Sequence, residues 1–405
     1  MKKQKSLVTI LAVLMMIAML PLSSCTKTAE TTTAKPDATT AAATTKATAA
    51  EAAVTEQTTA APVGFLGVIA KVPNTLKHDV HGNDAKWAKI YAAETYNYDY
   101  QTIDPDQDLA KSVAAVETFI SQGVNGIILH PITEDGQNDV IQEARDADIP
   151  IMTYCVGTTG KAVPALLIDE ASVAQQMGTD MAKKWVELYP DKPVRLGFVS
   201  WTNISFCFDN RTGPFLTGVK TVVSDLPSKE ESGDLVFQNS KGEELFGATY
   251  WGHGGGNLEV AQQIAAAGLQ ANPEVNIIYG DNMQNGLGVL AAYEAAGRGL
   301  AQDGVPLTEI IASTDASSAE LIKLADPTTS LKYALGMQPQ TFAYAEIDMM
   351  MKLINGEVDP NTYVEMYTPD CYFNYYKDSV TTLQDWFNTQ YMPATPLDLA
   401  AEIAK

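Results

Sequence analysis

Residues 123–156 read GVNGIILHPITEDGQNDVIQEARDADIPIMTYCV. An apolar run, GVNGIILHP (123–131), is followed by a helical stretch, VIQEARDAD (140–148), and then by a second apolar run, IPIMTYCV (149–156). Both apolar runs are continuous rather than alternating, the pattern of strands whose sheet is covered by helices on both faces. Strand, helix and strand in that order predict one βαβ unit of a parallel sheet.

The unit repeats in both directions. Upstream, GFLGVIA (64–70) and YDYQTID (98–104) predict strands, with helices over 83–96 and 107–122. In the second helix Leu109, Val113, Val116 and Ile120 share one face. Downstream, PALLID (164–169) adds a strand, and the rhythm then restarts. Strands are predicted at VRLGFVSW (194–201), VNIIYGD (275–281), TEIIASTD (308–315) and YALGMQP (333–339). Helices are predicted over 211–226, 257–273, 285–297, 318–326 and 342–357, the last stopping at Asn355-Gly356. Two successive doubly wound α/β lobes are the simplest account. In each, loops at the carboxyl ends of the strands gather at one edge, and two such edges face to face make a cleft.

The N-terminal residues are of another kind. MKKQK is followed by SLVTILAVLMMIAMLPL, a basic tip and an apolar run laid out as a secretory signal. The competing reading, a transmembrane helix, needs about 20 apolar residues, and Pro21 interrupts this run. Leu22-Ser23-Ser24-Cys25 resembles the bacterial lipobox, in which cleavage before the cysteine is followed by attachment of diacylglycerol to its thiol. The bland alternative is a signal followed by an incidental cysteine. On the lipobox reading residues 1–24 are a leader, and two acyl chains on Cys25 suffice for a stable tether. Residues 26–62 are nearly all Thr, Ala, Lys and Glu. They predict a disordered linker, because nothing in them offsets the entropy of ordering; as a flexible coil it spans about 35 Å.

The body, about 340 residues from Val63, is long enough for two domains. A net charge of −22 argues against nucleic acid and anionic lipid surfaces as partners, leaving the anchor as the membrane contact. Cys155, Cys207 and Cys371 are odd in number, so they cannot all pair, and no CxxC or Cys/His spacing points to a metal.

The order of segments resembles the type I periplasmic binding proteins, the sugar-binding kind exemplified by ribose- and galactose-binding proteins. The likeness covers residues 64–368. It is carried by VNGIILHPI with DGQNDVIQEARDADIPIMTY, by LLIDEASVAQQMGTDMA with its acid Asp169, and by NRTGPFLTGV. It continues through IIYGDNMQNGLGVLAAYEAAG, IIASTDASSAELIKL and GMQPQTFAYAEIDMMMKLINGE. The resemblance implies two lobes joined by three hinge crossings and closing on a sugar. It assigns 63–168 plus about 340–362 to the N-terminal lobe, 169–339 plus about 363–375 to the C-terminal lobe, and 376–405 to a tail without counterpart.

Carried over residue by residue, the family's ligand contacts fall on His130 after the third strand, on Arg211 at a helix start, and on Asn282 or Asp281 beside it. They fall also on Asp315 at a strand end and on Gln338 near the hinge. Carboxylate and guanidinium groups take vicinal hydroxyls in pairs, and amides both donate and accept. Trp201 and Trp251 are candidates to cover the apolar face of a sugar ring. Two departures argue against ribose itself. The fourth strand ends Thr153-Tyr154-Cys155-Val156 where ribose binders carry Asp-Arg, and the first loop, KVPNTLKHDVHGND, holds two histidines.

Other signals weigh less. Asp104-Pro105-Asp106-Gln107-Asp108 resembles a calcium loop, but Leu109 and Ala115 stand where its glycine and glutamate belong; acids at a helix N-terminus are the simpler reading. His78 and His81 lack the glutamate of a zinc-protease helix, and GHGGGN (252–257) lacks the Gly-Lys-Ser/Thr of a phosphate loop. No catalytic residue, cofactor or metal is expected. The leading expectation is therefore a monomeric, lipid-anchored solute receptor on the extracytoplasmic face of a bacterial membrane, handing a carbohydrate to an ABC permease. A sugar-sensing partner of a histidine kinase or chemoreceptor is the second reading, and a surface glycan-processing enzyme a remote third.

Overall fold

The apolar runs pair side by side in the computed structural model, which describes residues 64–201, 205–228, 237–238, 242–369 and 371–405. The leader, Cys25 and the linker lie outside the described residues. The chain runs β1 (Val68–Val72), α1 (Asp79–Tyr96), β2 (Asp99–Thr102), α2 (Leu109–Gln122), β3 (Gly126–Leu129), α3 (Asn138–Asp146), β4 (Ile151–Cys155) and β5 (Ala165–Ile168). It crosses at Asp169-Glu170 into α4 (Ala171–Leu188) and β6 (Leu196–Ser200). A helical stretch follows in three pieces: Ser205–Cys207, a π turn at Phe208–Thr212, and α5 (Gly213–Lys220). Next come β7 (Ala248–His253), α6 (Leu258–Ala271), β8 (Ile277–Gly280), α7 (Met283–Ala295), β9 (Ile310–Asp315), α8 (Ser318–Ala325) and β10 (Leu331–Gly336). The chain returns through Met337-Gln338 to α9 (Pro339–Ile354) and β11 (Val364–Tyr367). It crosses a third time to β12 (Tyr372–Asn374), α10 (Val380–Gln390) and α11 (Leu399–Ile403).

Each lobe is built on a six-stranded sheet, ordered β11-β5-β4-β3-β1-β2 in the first and β12-β10-β9-β8-β6-β7 in the second. Every pairing in the first is parallel, and in the second only β12 runs antiparallel. All five residues of β1, β4 and β6 are buried, as continuous apolar strands between two helical layers require. Local signals set the helix ends. Asp108 caps α2 by accepting the Lys111 N–H (2.9 Å), which agrees with the simpler reading of the 104–108 acids. Ser317 and Glu320 form a capping box on α8. In the second lobe α4 and α5 cross with almost no separation: a Cβ on Gly178 would sit 2.2 Å from the Phe215 carbonyl oxygen, and one on Gly218 2.0 Å from that of Gln175.

Three corrections to the expected architecture follow. Residues 364–367 are the edge strand of the first sheet, paired from Val364↔Ala165 to Tyr367↔Ile168, rather than part of the second lobe. The strand at 248–253 was not anticipated, since ATYWGH mixes small, polar and aromatic residues. The helix expected from Arg211 starts at Ser205, with Arg211 inside the π turn.

A buried ionic cluster ties β1 to both helices that cover it. Lys71, fully buried in β1, lies between Asp84 of α1 and Glu346 of α9, its Nζ 2.7 Å from a Glu346 oxygen and 3.9 Å above the centre of the Tyr154 ring. The Tyr100 hydroxyl donates to the same Glu346 (3.1 Å). Burial and the charge of Asp84 push the Glu346 carboxyl up to about 8, against the pull of the one cation that serves both acids. Lys71→Met removes that cation and is expected to cost about 3–5 kcal/mol. Urea unfolding checks this, and adding Glu346→Gln to the same chain should return part of the loss.

Candidate functional site

The carboxyl ends of the parallel strands of both sheets meet across a cavity of about 70 Å³. The first lobe contributes Asn74 and Thr75 after β1, His78 and His81 from α1, Gln107 after β2, His130 after β3, and Cys155 and Val156 at the end of β4. The second contributes Trp201 after β6, Phe206 and Arg211 from the helical stretch, Asn282 and Gln284 after β8, and Asp315 at the end of β9. Met337 closes the hinge side.

Arg211 is set by the first hinge crossing. Its Nη2 donates to Glu170 Oε1 (2.9 Å), its Nε donates to the other carboxylate oxygen, and its Nη1 donates to the Asp281 carbonyl (2.6 Å). Asp169, beside Glu170, instead accepts the Ala171 N–H at the start of α4 (3.2 Å). The Asp281 carboxylate turns inward, accepting from the Ser200 hydroxyl, the Trp201 N–H (2.9 Å) and the Asn285 amide (2.8 Å). Asn282 caps α7, taking the Asn285 N–H on its side-chain oxygen (2.8 Å).

Three imidazoles line the first-lobe wall. His81 lies with ring centres 5.3 Å from His78 and 5.0 Å from His130, and its Nδ1 is 3.5 Å from the Tyr154 hydroxyl. Their affinities for a proton differ because their neighbours differ. Burial works against protonation of His78, but the charge and hydrogen bond of Asp315 outweigh it and raise its pKa. Burial holds His81 well below the ordinary value, and the neighbouring His130 and His78 lower it further. His130 is pushed down to about 4, chiefly by burial. Its Nδ1 donates to the Pro131 carbonyl (2.8 Å), so in the neutral ring Nε2 is an acceptor.

Among the described residues, two polar contacts join the lobes beside the cavity. His78 Nε2 meets Asp315 Oδ2 at 3.2 Å. Glu134, in the loop before α3, accepts both the N–H (2.8 Å) and the hydroxyl (2.7 Å) of Ser205, at the start of the helical stretch.

Of the residues singled out in the sequence, His130, Trp201, Arg211, Asn282 and Asp315 come together on this cavity. Three do not line it. Asp281 supports the wall from behind. Trp251 is turned away into the second lobe, where its ring covers Gly268 and Gly197 and stacks near Tyr293 (6.3 Å). Gln338 lies in the hinge and accepts the Tyr367 hydroxyl (2.6 Å). His78, His81, Gln107 and Glu170 were not singled out as site residues. The spacing of the first two carried the signal, since residues three apart share a helix face. Among the described residues Cys155, Cys207 and Cys371 form no disulfide. Among the described residues no cluster of three or more His, Cys, Asp or Glu side chains is arranged to hold a metal ion.

The His130 ring makes the stability pH-dependent. Its folded value lies below the unfolded one of about 6.5, so its contribution is complete above that value. Between 6.5 and 4 the unfolded chain takes a proton that the folded chain refuses, and stability falls with pH. From pH 7 to pH 5 the wild type is expected to lose about 1–2 kcal/mol more than His130→Gln in urea unfolding.

Residues 69–358 match the periplasmic binding protein domain family. The galactofuranose-binding protein YtfQ of Escherichia coli (strain K12) is 26% identical over 156 residues, 38% of this chain and 48% of that protein. The chain spans about half the length of the curated relatives it matches. A Mycobacterium smegmatis protein solved in complex with β-D-fucofuranose aligns with a TM-score of 0.60 at 19% identity, over 83% of this chain and 97% of that one. The periplasmic binding component of the arabinose ABC transporter from Shewanella sp. ANA-3, bound to α- and β-L-arabinofuranose, aligns with a TM-score of 0.58 at 15% identity, over 83% and 98%. These two structures share the two-lobed type I fold. The matched residues include five of the six strands of each sheet and the first two of the crossings between them, and by that match the chain belongs to the periplasmic binding protein family, whose members are solute-binding proteins and not enzymes.

Proposed function

We propose that this chain is an extracytoplasmic binding protein, tethered by lipid on Cys25, that takes a sugar or sugar derivative into the cavity and delivers it to an ABC permease. The observation that carries the reading is the cavity wall itself, drawn from the carboxyl ends of both sheets and bridged by His78–Asp315 and Glu134–Ser205. A ligand that touches both lobes favours the closed state over the open one by its differential contacts.

The wall offers hydroxyl groups what they need. Asp315 accepts, Arg211 donates, Asn282 does both, and the neutral His130 presents Nε2 as an acceptor. Trp201 and Phe206 supply apolar faces for the ring carbons. Family membership and the name of the E. coli relative support a carbohydrate ligand. The Leu22-Ser23-Ser24-Cys25 pattern supports the tether.

Thermal unfolding of the purified chain across a panel of hexoses, pentoses, their furanose glycosides and polyols tests the central claim. At 100-fold excess over Kd the bound sugar adds about 2.7 kcal/mol of stability, and a panel with no stabilising member refutes the carbohydrate reading. Against the best member of that panel, Asp315→Asn is expected to weaken binding roughly 10- to 100-fold, the cost of losing a charged hydrogen-bond partner. For the tether, radiolabelled palmitate fed to expressing cells should enter the wild type and not Cys25→Ala.

A further inference from the structure

The matched family domain stops at residue 358, and the chain beyond it packs behind the cavity residue Asp315. The C-terminal helices α10 and α11 pack against α8 and α9, and α10 ends beside both lobes. Trp87 of α1, in the first lobe, donates its indole N–H to the Gln390 carbonyl (2.8 Å). The next residue, Tyr391, is 1% exposed, and its hydroxyl donates to the main-chain carbonyl of Asp315 (2.6 Å). That carbonyl also accepts the N–H of Met337 in the second hinge crossing (3.2 Å). The Tyr391 ring is itself fixed, stacked on Phe387 (centres 4.7 Å apart, planes 12° apart) and tilted against Trp386 (5.8 Å).

Asp315 needs such support. Its φ is +113° and that of Ala316 is +54°, backbone conformations that side chains with a Cβ adopt rarely. Each is strained and persists only where the surroundings over-determine it. Out of this turn the Asp315 carboxylate takes the Met283 N–H (2.9 Å) and meets His78 of the other lobe (3.2 Å). One carbonyl, held by a hinge amide and a C-terminal hydroxyl, therefore sets a cavity carboxylate that spans the cleft.

We propose that Tyr391 is a positioning residue of the ligand site: its hydroxyl holds the Asp315 main chain in the turn that aims the carboxylate into the cavity, so the C-terminal helices belong to the binding machinery. The effect on sugar affinity rests on the function proposed above. The effect on Asp315 does not.

Titration of the His78 ring, followed by nitrogen–proton NMR in the absence of sugar, reads the position of Asp315 directly. The charged and titratable groups facing His78 are Asp79 and His81 on its own helix, and Asp315 and Arg211 from the second lobe. Among these, Asp315 is the one whose main chain takes the Tyr391 hydrogen bond. His78→Gln assigns the resonance, and melting curves verify that each variant folds. Tyr391→Phe keeps the ring and its stacking while removing the hydroxyl, and Phe387→Leu loosens the stacking while keeping the hydroxyl. In Y391F the His78 midpoint is expected to fall by about half a pH unit or more as its carboxylate partner drifts, while F387L stays with the wild type. An unmoved midpoint in Y391F overturns the proposal, as does an equal fall in both variants, which would make Tyr391 a packing residue only. A lowered midpoint in Y391F together with a silent sugar panel leaves the positioning role standing and removes the carbohydrate reading.

Discussion

Arg211 can carry its charge into a buried wall because Glu170, on the first crossing between the lobes, meets it with two parallel hydrogen bonds. Taking two such groups out of water is costly, and only good geometry with further hydrogen bonds offsets the loss. Here the further bonds run on in a chain, from Arg211 to the Asp281 carbonyl, and from the Asp281 carboxylate to Ser200, Trp201 and Asn285. The ends of β6 and β8, the π turn and the hinge are thus one hydrogen-bonded body. The second-lobe wall stands where it does because a residue between the lobes holds it there.

The first-lobe wall is organised differently. Behind it lies the Lys71 cluster, and in front of it stand three imidazoles of unequal proton affinity. Tyr154 joins the layers, with the Lys71 ammonium over its ring and the His81 ring near its hydroxyl. Burial chiefly, with the Lys71 cation adding to it, disfavours protonation of His81 and His130, and His78 escapes because Asp315 reaches it from the other side. The polar character of the cavity therefore depends on the lobes being together, since the proton affinity of one of its histidines is raised by the opposite lobe.

Much of this was legible in the sequence, and for a physical reason. Continuous apolar runs such as those at 126–129 and 151–155 have one stable use, a strand between helical layers, so the lobes and their order could be read from them. Residues at strand ends, His130 and Asp315 among them, were legible because the fold places every such end at one edge. What could not be read was direction. Asp281 and Asn282 are neighbours at the same strand end, yet one faces the core and the other the cavity, and only the hydrogen-bond partners decide which. Trp251 failed for the same reason: an aromatic on an edge strand can cover the helix beside it as readily as a ligand. Val364–Tyr367, with alternating exposure along its length, lacked the continuous apolar pattern that marked the inner strands.

The Glu134–Ser205 contact has a consequence of its own. The first turn of any helix leaves backbone N–H groups unpaired, and a side chain from nearby sequence usually answers them. Here the answering carboxylate comes from the opposite half of the molecule. Separating the halves uncaps that turn, so the helix bearing Arg211 is finished only when the jaws meet, and local order in one half reports the posture of the whole.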